Sequence, residues 1–180
     1  MPDESLIIES VKNGNRNAFR KLFDDNINQL FRFLCQFSKD KDLVEDWVQR
    51  AFIKAYNNIN SFAGNSKFST WLFSIGLNEM KNDMRKLNRY RTETIEEDLS
   101  DNVVSEVNDF EWRHDMKWLL SDLDEDKKAV FILFEVEGYS HAEISEIMDI
   151  SEAASRTILC RTKNYLKEKW IKQEVFNDKS

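Results

Sequence analysis

The chain has 180 residues, which is enough for one ordinary domain or two small helical domains. Hydrophobic residues make up 41% and charged residues 33%, a balance typical of a soluble globular protein and not of a disordered one. The net charge of −7 argues against a surface that binds nucleic acid everywhere, and a single proline with four glycines predicts an all-α fold.

The charge is unevenly distributed along the chain. Residues 1–90 carry 14 Lys/Arg against 11 Asp/Glu, whereas residues 91–119 carry 3 against 9. From residue 151 onward the balance is again basic, with 7 Lys/Arg against 4 Asp/Glu. Two mildly basic regions are therefore separated by an acidic middle, so local nucleic-acid binding stays possible.

The two cysteines, Cys35 and Cys160, lie far apart in the sequence without a CxxC or histidine partner nearby. This usage predicts reduced thiols, with neither a disulfide framework nor a metal site, and no motif indicates a cofactor. The acidic amino terminus does not resemble a signal peptide, and no apolar run approaches the roughly 20 residues of a membrane span. We therefore expect a cytoplasmic protein.

Amphipathic helices are predicted in succession between residues 6 and 89. Apolar side chains recur at helical spacing over residues 15–38 and again over residues 42–59. A polar loop around Gly64 follows, and a long helix is predicted from about Phe68 to Leu87, with Ser69 or Thr70 as its cap. Residues 91–109 are acidic and lack periodicity, so we expect a linker there between domains at 1–90 and 110–180.

A helix-turn-helix pattern begins at residue 140. Ser140 and Glu143 form a capping-box pair that opens a short helix, and Asp149-Ile150-Ser151 forms a tight turn whose serine can cap the next helix. Eight helical residues, a three-residue turn and a longer helix are typical of a DNA-binding unit, although two core helices joined by a turn would give the same pattern.

The second of these helices has two distinct faces. Four residues at helical spacing should face the domain, namely Ser155, Leu159, Thr162 and Leu166. The cations left largely on the other side are Arg156, Arg161, Lys163 and Lys167. These cations are free to meet phosphates or base edges.

At this point the chain resembles the extracytoplasmic-function (ECF) group of bacterial RNA polymerase sigma factors over nearly its whole length. One matching segment is E-D-W-V-Q-R-A-F at 45–52, followed by K-F-S-T-W-L-F at 67–73. The other runs from the G-Y-S of 138–140 through residue 166. The resemblance implies two helical domains that bind core RNA polymerase at its β′ clamp and β flap, and that recognise and melt promoter DNA.

The resemblance also assigns site residues. The polymerase-binding residues that it implies are Asp46, Gln49, Arg50 and Phe52. The residues that it implies for the minus-ten element are Asn65, Ser66, Lys67, Trp71, Asn78, Lys81, Arg85 and Lys86. Those implied for the minus-thirty-five element are Ser151, Glu152, Arg156, Thr157, Arg161 and Lys163.

Helix geometry is consistent with the first of these assignments. Asp46 and Gln49 are spaced i, i+3, so they project together from the side opposite the apolar residues of the same helix. A carboxylate and an amide on one ridge suit a polar docking surface, although a solvated face would have the same pattern. Trp71 could equally be a core residue.

Several positions depart from the family pattern. Arg50 replaces a glutamate, and Ser74, Leu77 and Ile158 stand where the family often has arginine. Gly76 should cost about 1 kcal/mol relative to alanine inside a helix. The missing cations leave open a sigma-like factor that reads promoters weakly and is brought to DNA by a recruiting protein. An anti-sigma factor is a further possible partner.

Two other classes of function fit the sequence less well. A simple helix-turn-helix regulator needs only the carboxyl-terminal domain, so the Asp46/Gln49 helix argues against it. Neither His114 nor His141 lies near a cysteine, a serine or paired carboxylates at a useful spacing, and the scattered glycines form no phosphate-binding loop. We therefore expect no enzymatic activity.

Overall fold

The computed structural model describes residues 4–93 and 118–177. Every regular element in these ranges is helical, which confirms the all-α prediction. The chain divides into two compact units, one built on residues 4–93 and one on residues 118–177. The predicted linker from residue 94 onward, and the predicted domain start at 110, lie outside the described residues.

The first unit contains four α-helices and one short 3-10 helix. They are α1 (Glu4–Lys12), α2 (Arg16–Leu34), α3 (Lys41–Asn57), the 3-10 helix (Ile59–Ser61) and α4 (Phe68–Glu93). Asn15 and Asp40 cap α2 and α3, since each side chain accepts hydrogen bonds from two backbone N–H groups of the first turn. These short polar caps fix where both helices begin.

Aromatic side chains fill much of the core of the first unit. Trp47, Phe33 and Phe73 are fully buried, and the rings of Phe33 and Phe73 lie 5.2 Å apart between α2 and α4. Rings of this size remove a large apolar area from water and pair favourably at such a distance. Helix α3 therefore packs on α2 and α4, and α1 packs on α2.

Gly76 lies where α4 passes close to α2. A Cβ atom at this position would be 2.8 Å from Cδ1 of Leu30, which is itself completely buried. The sequence predicts this glycine only as a helix-weakening residue. Its structural reason is the buried Leu30 side chain of α2, which occupies the space that a methyl group at position 76 would need.

The start of α4 differs from the sequence prediction. The helix begins at Phe68, so Ser69 and Thr70 lie inside its first turn and do not cap it. The acceptor for the Phe68 N–H is instead the Glu4 carboxylate of α1, at 2.9 Å. The helix also extends to Glu93, beyond the predicted end at Leu87, with neither glycine nor proline in residues 77–93 to stop it.

The second unit contains α5 (Glu125–Glu135), α6 (His141–Met148) and α7 (Glu152–Asn177). The predicted capping box at the start of α6 is present, with both Ser140 and Glu143 bonded to backbone N–H groups. Asp149 adopts φ 54°, which turns the chain between α6 and α7. Ser151 accepts a hydrogen bond from the Ala154 N–H at 3.1 Å, which confirms it as the cap of α7.

Candidate functional site

The exposed side of α3 carries the polar ridge expected from the spacing. Asp46 and Gln49 are exposed, while Trp47 and Val48 between them are buried against the rest of the unit. One side of α3 thus holds the helix in place and the other presents a carboxylate and an amide to solvent. This arrangement suits the recognition of polar groups on another protein.

Two residues assigned to the same docking surface lie elsewhere. Phe52 is only 3% exposed, and its ring packs 4.6 Å from that of Phe23 and 6.4 Å from that of Phe19. Phe52 projects from α3 toward α2. The side chain therefore belongs to the core and offers almost no surface to a partner. Arg50 turns back onto α4.

Arg50 is the centre of an ion-pair network between α3 and α4. Its guanidinium bonds to Asp83 and lies 3.0 Å from the Asp46 carboxylate and 3.5 Å from that of Glu79. Lys54 pairs with the buried Glu79. The Arg50 guanidinium, which the family resemblance assigns to the docking ridge, therefore serves mainly to hold α3 against α4.

The pKa of Asp83 is the most strongly shifted in this network. The hydrogen bonds from Arg50, supported by the Trp47 indole N–H at 3.0 Å, lower the pKa of Asp83 to about 2. The same contact with Asp83 raises the pKa of Arg50. Both groups therefore remain charged at neutral pH, and the attraction between them holds α3 to α4.

Two further exposed residues lie beyond Gln49 on α3, and the sequence prediction missed both. Ile53 is 57% exposed on the outward side of the helix. Tyr56 is 38% exposed, and its ring packs 4.9 Å from that of Phe19 on α2. Ile53 follows Gln49 by four residues, one helical turn. The signal available in the sequence was an isoleucine on the polar side of an amphipathic helix, where its apolar side chain is exposed to water.

The loop before α4 presents the first of the predicted minus-ten residues. Asn65 and Lys67 are exposed, and Ser66 is half-buried. Trp71 is also half-buried, and its ring packs against that of Phe62 with a centroid distance of 5.0 Å and a tilt of 33°. The loop therefore has polar edges next to an aromatic cluster.

The basic side of α4 carries the remaining predicted minus-ten residues. Asn78, Arg85 and Lys86 are exposed, and Lys81 is half-buried. Lys86 also lies 3.5 Å from Asp83. These residues come directly after the loop and lie along one helix. A single nucleic-acid strand can therefore contact the loop and the basic side of α4 together.

The structure corrects one inference about missing charge. Leu77 is 1% exposed and belongs to the core. An arginine at this position would be buried, so its absence removes no cation from the surface of α4. The deficit of DNA-facing charge is smaller than the sequence comparison indicates.

The amino-terminal half of α7 holds the residues expected to read the upstream element. Arg156, Thr157 and Arg161 are exposed, as the helix-turn-helix pattern predicts for its second helix. Two of the cations already have partners, because Arg156 lies 2.8 Å from Glu152 and Lys163 lies 2.9 Å from Glu135. The four inward residues are all buried, namely Ser155, Leu159, Thr162 and Leu166.

One histidine does lie near a serine, contrary to the sequence-based expectation. His141 Nδ1 is 2.8 Å from Ser155 Oγ, and its ring stacks on Phe134 at 4.6 Å. Ser155 is completely buried, so a substrate could not reach its hydroxyl. The pair links α6 to α7 and fixes the angle of the helix-turn-helix.

Metal-binding groups and membrane-spanning helices are both absent from the described ranges. Residues 4–93 and 118–177 contain no group of three or more His, Cys, Asp or Glu side chains that could hold a metal ion. Across the same part of the chain, no helix combines the length and the apolar character needed to cross a membrane.

Comparison with known proteins bears on both units. The Sigma-70 region 2 family matches residues 22–90, and the Sigma-70 region 4 family matches residues 118–166. The second match alone would fit a simple helix-turn-helix regulator. The presence of both, in this order, does not favour that reading, nor that of a sigma-like factor dependent on recruitment.

Relatives align over most of the chain. The ECF RNA polymerase sigma-E factor of Haemophilus influenzae is 30% identical over 92% of this chain and 94% of its own length. The sigma factor SigM of Bacillus subtilis is 30% identical over 82% of this chain and 91% of its own length.

Solved structures share the fold. CnrH, in complex with the cytosolic domain of CnrY, superposes with a TM-score of 0.71 at 23% identity, covering 92% of this chain and 95% of that chain. RpoE of Bartonella quintana, in complex with the anti-sigma factor NepR, gives 0.70 at 25% identity, covering 83% and 94%. The chain therefore belongs to the ECF RNA polymerase sigma factors and acts in transcription initiation.

Proposed function

We propose that this sigma factor docks on the clamp of core RNA polymerase through the exposed ridge of α3. The ridge is defined by Asp46, Gln49 and Ile53, which follow one another along the outward side of the helix. The observation that carries the proposal is that Trp47 and Arg50 hold α3 to α4, while Asp46, Gln49 and Ile53 remain exposed, with Asp46 paired to Arg50 along its own helix. A preorganised surface loses little conformational entropy on binding.

The three ridge residues have complementary parts in docking. Asp46 and Gln49 supply an acceptor and an amide that can recognise polar groups and set the orientation of the partner helix. Ile53 supplies apolar area at the carboxyl-terminal end of the ridge, and its burial would contribute about 1–2 kcal/mol. Apolar area next to polar groups is typical of a protein interface.

The test is the affinity of core polymerase for Asp46→Ala combined with Gln49→Ala. We expect binding to weaken about tenfold or more while helical content is unchanged, because both side chains are exposed and Arg50 keeps its contacts with Asp83 and Glu79 when Asp46 is replaced. The matched control is Asp25→Ala with Asn28→Ala, an exposed carboxylate and amide at the same spacing on α2. Equal affinity for the two double variants would contradict docking through this ridge.

DNA recognition is assigned to two surfaces. We propose that the loop at 62–67 and the basic side of α4 bind the melted minus-ten strand. The proposed contacts are Asn65, Ser66, Lys67, Trp71, Asn78, Lys81, Arg85 and Lys86. The exposed residues at the start of α7 would read the minus-thirty-five element from the major groove. The polymerase performs the chemistry, so the sigma factor itself needs no catalytic group.

An anti-sigma protein is the further partner that we propose. CnrH and RpoE were each solved with a protein bound, CnrY in one case and the anti-sigma factor NepR in the other. A partner that covers the α3 ridge would block polymerase binding directly. Polymerase and promoter DNA both lie in the cytoplasm, which is where we expect this chain to act.

A further inference from the structure

Both ends of α1 are bonded to the two ends of one loop. Lys12, the last residue of the helix, donates a hydrogen bond from Nζ to the Phe62 carbonyl oxygen at 2.7 Å. Glu4, the first residue, accepts a hydrogen bond from the Phe68 N–H at 2.9 Å. Residues 63–67, which lie between these two anchor points, make up the exposed part of the loop.

Each contact satisfies a backbone group that the loop leaves without a helical partner. The Phe68 N–H is at the start of α4, where no preceding turn can accept its hydrogen bond. The Phe62 carbonyl follows the 3-10 helix at the other end of the loop. In both contacts one partner is ionised, and such hydrogen bonds are stronger than those between neutral groups.

Helix α1 is itself fixed to the rest of the unit. Ile8 and Val11 are buried on the side that packs against α2 and the 3-10 helix. The Phe62 ring is buried as well and lies 5.0 Å from the Trp71 ring. The loop therefore has two polar anchors and one aromatic anchor, and all three lie outside residues 63–67.

We infer that α1 positions the loop for capture of an unpaired promoter base, with Glu4 and Lys12 as positioning residues. The inference rests on the proposed function, since it assumes that the loop receives a base from the melted strand. A loop held at both ends presents Asn65, Ser66 and Lys67 in one arrangement before DNA arrives. Without the anchors, ordering these residues would oppose base capture.

The effect of removing the Glu4 charge distinguishes positioning of the loop from direct contact with DNA. Glu4→Ala removes a negative charge close to the proposed DNA surface, so electrostatics alone would strengthen binding of a polyanion. Positioning requires the opposite result, because the loop loses one anchor. Glu4→Gln removes the same charge but keeps a carbonyl oxygen that can accept the Phe68 N–H, so this variant should restore binding.

The test uses holoenzyme assembled from the full chain and core polymerase. Wild-type holoenzyme first enriches an oligonucleotide from a pool of short single strands with a randomised stretch, and the enriched strand, labelled with fluorescein, becomes the probe. We expect Glu4→Ala and Lys12→Met each to weaken probe binding about three- to tenfold, the loss of one hydrogen bond. Glu4→Gln should stay close to wild type, and core-polymerase affinity should be unchanged in all three.

Two controls keep the outcomes distinct. Lys21→Met removes the same charge as Lys12→Met from an exposed pair with Asp25 on α2, and it should bind the probe as wild type does. Hydrogen exchange at the Phe68 amide should accelerate in Glu4→Ala and not in Glu4→Gln. Unchanged or tighter probe binding by Glu4→Ala, or an equal loss of core-polymerase affinity, would overturn the positioning role. Failure of wild-type holoenzyme to enrich any strand would instead contradict base capture itself.

Discussion

The Arg50–Asp83 contact gives the first unit a dependence on pH. Asp83 has a pKa of about 2 in the folded chain, compared with 3.8 for an unperturbed carboxyl. Because folding lowers the pKa of Asp83, the charged carboxylate stabilises the folded chain at any pH above the pKa of the unfolded state. This stabilisation is lost as pH falls from about 4 toward about 2. The shift corresponds to about 2 kcal/mol.

We expect Asp83→Asn to remove this dependence. Its unfolding free energy should be lower than that of wild type at neutral pH by about 2 kcal/mol, with the difference shrinking as pH falls from about 4 toward about 2. The measurement is urea unfolding followed by circular dichroism across this range. Asp24→Asn, an exposed carboxyl on α2, is the control. A gap between Asp83→Asn and wild type that does not change with pH would contradict the ion-pair account.

Gly76 offers a second test at the scale of single residues. Replacing a glycine inside a helix by alanine ordinarily stabilises the helix by about 1 kcal/mol. Here the new methyl group would meet Leu30 Cδ1 at 2.8 Å. Overpacking of this kind costs about 1–3 kcal/mol, so we expect Gly76→Ala to give no rise in melting temperature.

A double substitution isolates the steric cause. Leu30→Val shortens the opposing side chain, so Gly76→Ala should be less harmful in that background than in wild type. The measurement is the coupling free energy from thermal unfolding of the two single variants and the double variant. Additive effects would show that contact with Leu30 does not determine the glycine.

The contacts of Arg50 and Gly76 also mark where prediction from sequence stops. Helical spacing identifies which side of α3 is buried, because that information is local. It cannot identify Asp83 as the partner of Arg50, since the two residues are 33 positions apart. Comparison with the family pattern, which carries no information on contacts within this chain, made Arg50 look like a docking residue and Leu77 like a site of missing charge.

At the scale of elements, α7 carries a test of upstream DNA reading. Arg156 and Arg161 are exposed at its amino-terminal half, and neither supports the core. A base-edge contact contributes about 1–3 kcal/mol, so replacing both residues with alanine should weaken protection of the upstream element. Binding to core polymerase should be spared, because the α3 ridge is untouched.

Footprinting of holoenzyme on a mapped promoter is the measurement. Lys172→Ala removes an exposed cation from the same helix at greater distance from its amino terminus, at a position not assigned to DNA. This control should keep the upstream footprint. An unaltered footprint with the Arg156 and Arg161 variant would mean that α7 does not read DNA at those positions.

The elements themselves were largely predictable, and their ends less so. The capping box of α6 and the Ser151 cap of α7 are local motifs, so the sequence places both correctly. The start of α4 depends on Glu4, which is 64 residues away, and no local pattern could reveal that contact. The contact between His141 and the buried Ser155 was missed for the same reason.

At the scale of the whole molecule, the net charge of −7 requires that DNA binding be confined to particular surfaces. The exposed cations that are proposed to contact DNA lie on the loop before α4, on α4 and on α7, and some are already paired with carboxylates of the chain, as Arg156 is with Glu152. A factor of this kind gains much of its DNA affinity from polymerase, whose own contacts add to the phosphate interactions. Its defining activity is therefore that of the holoenzyme.

The most direct test of the central claim is transcription reconstituted from core polymerase, this chain and genomic DNA fragments, with every RNA start mapped. We expect discrete starts that require the chain, share sequence elements upstream and disappear with the Asp46→Ala, Gln49→Ala variant. Starts at the same positions with and without the chain, or no starts at all, would contradict its role as a sigma factor.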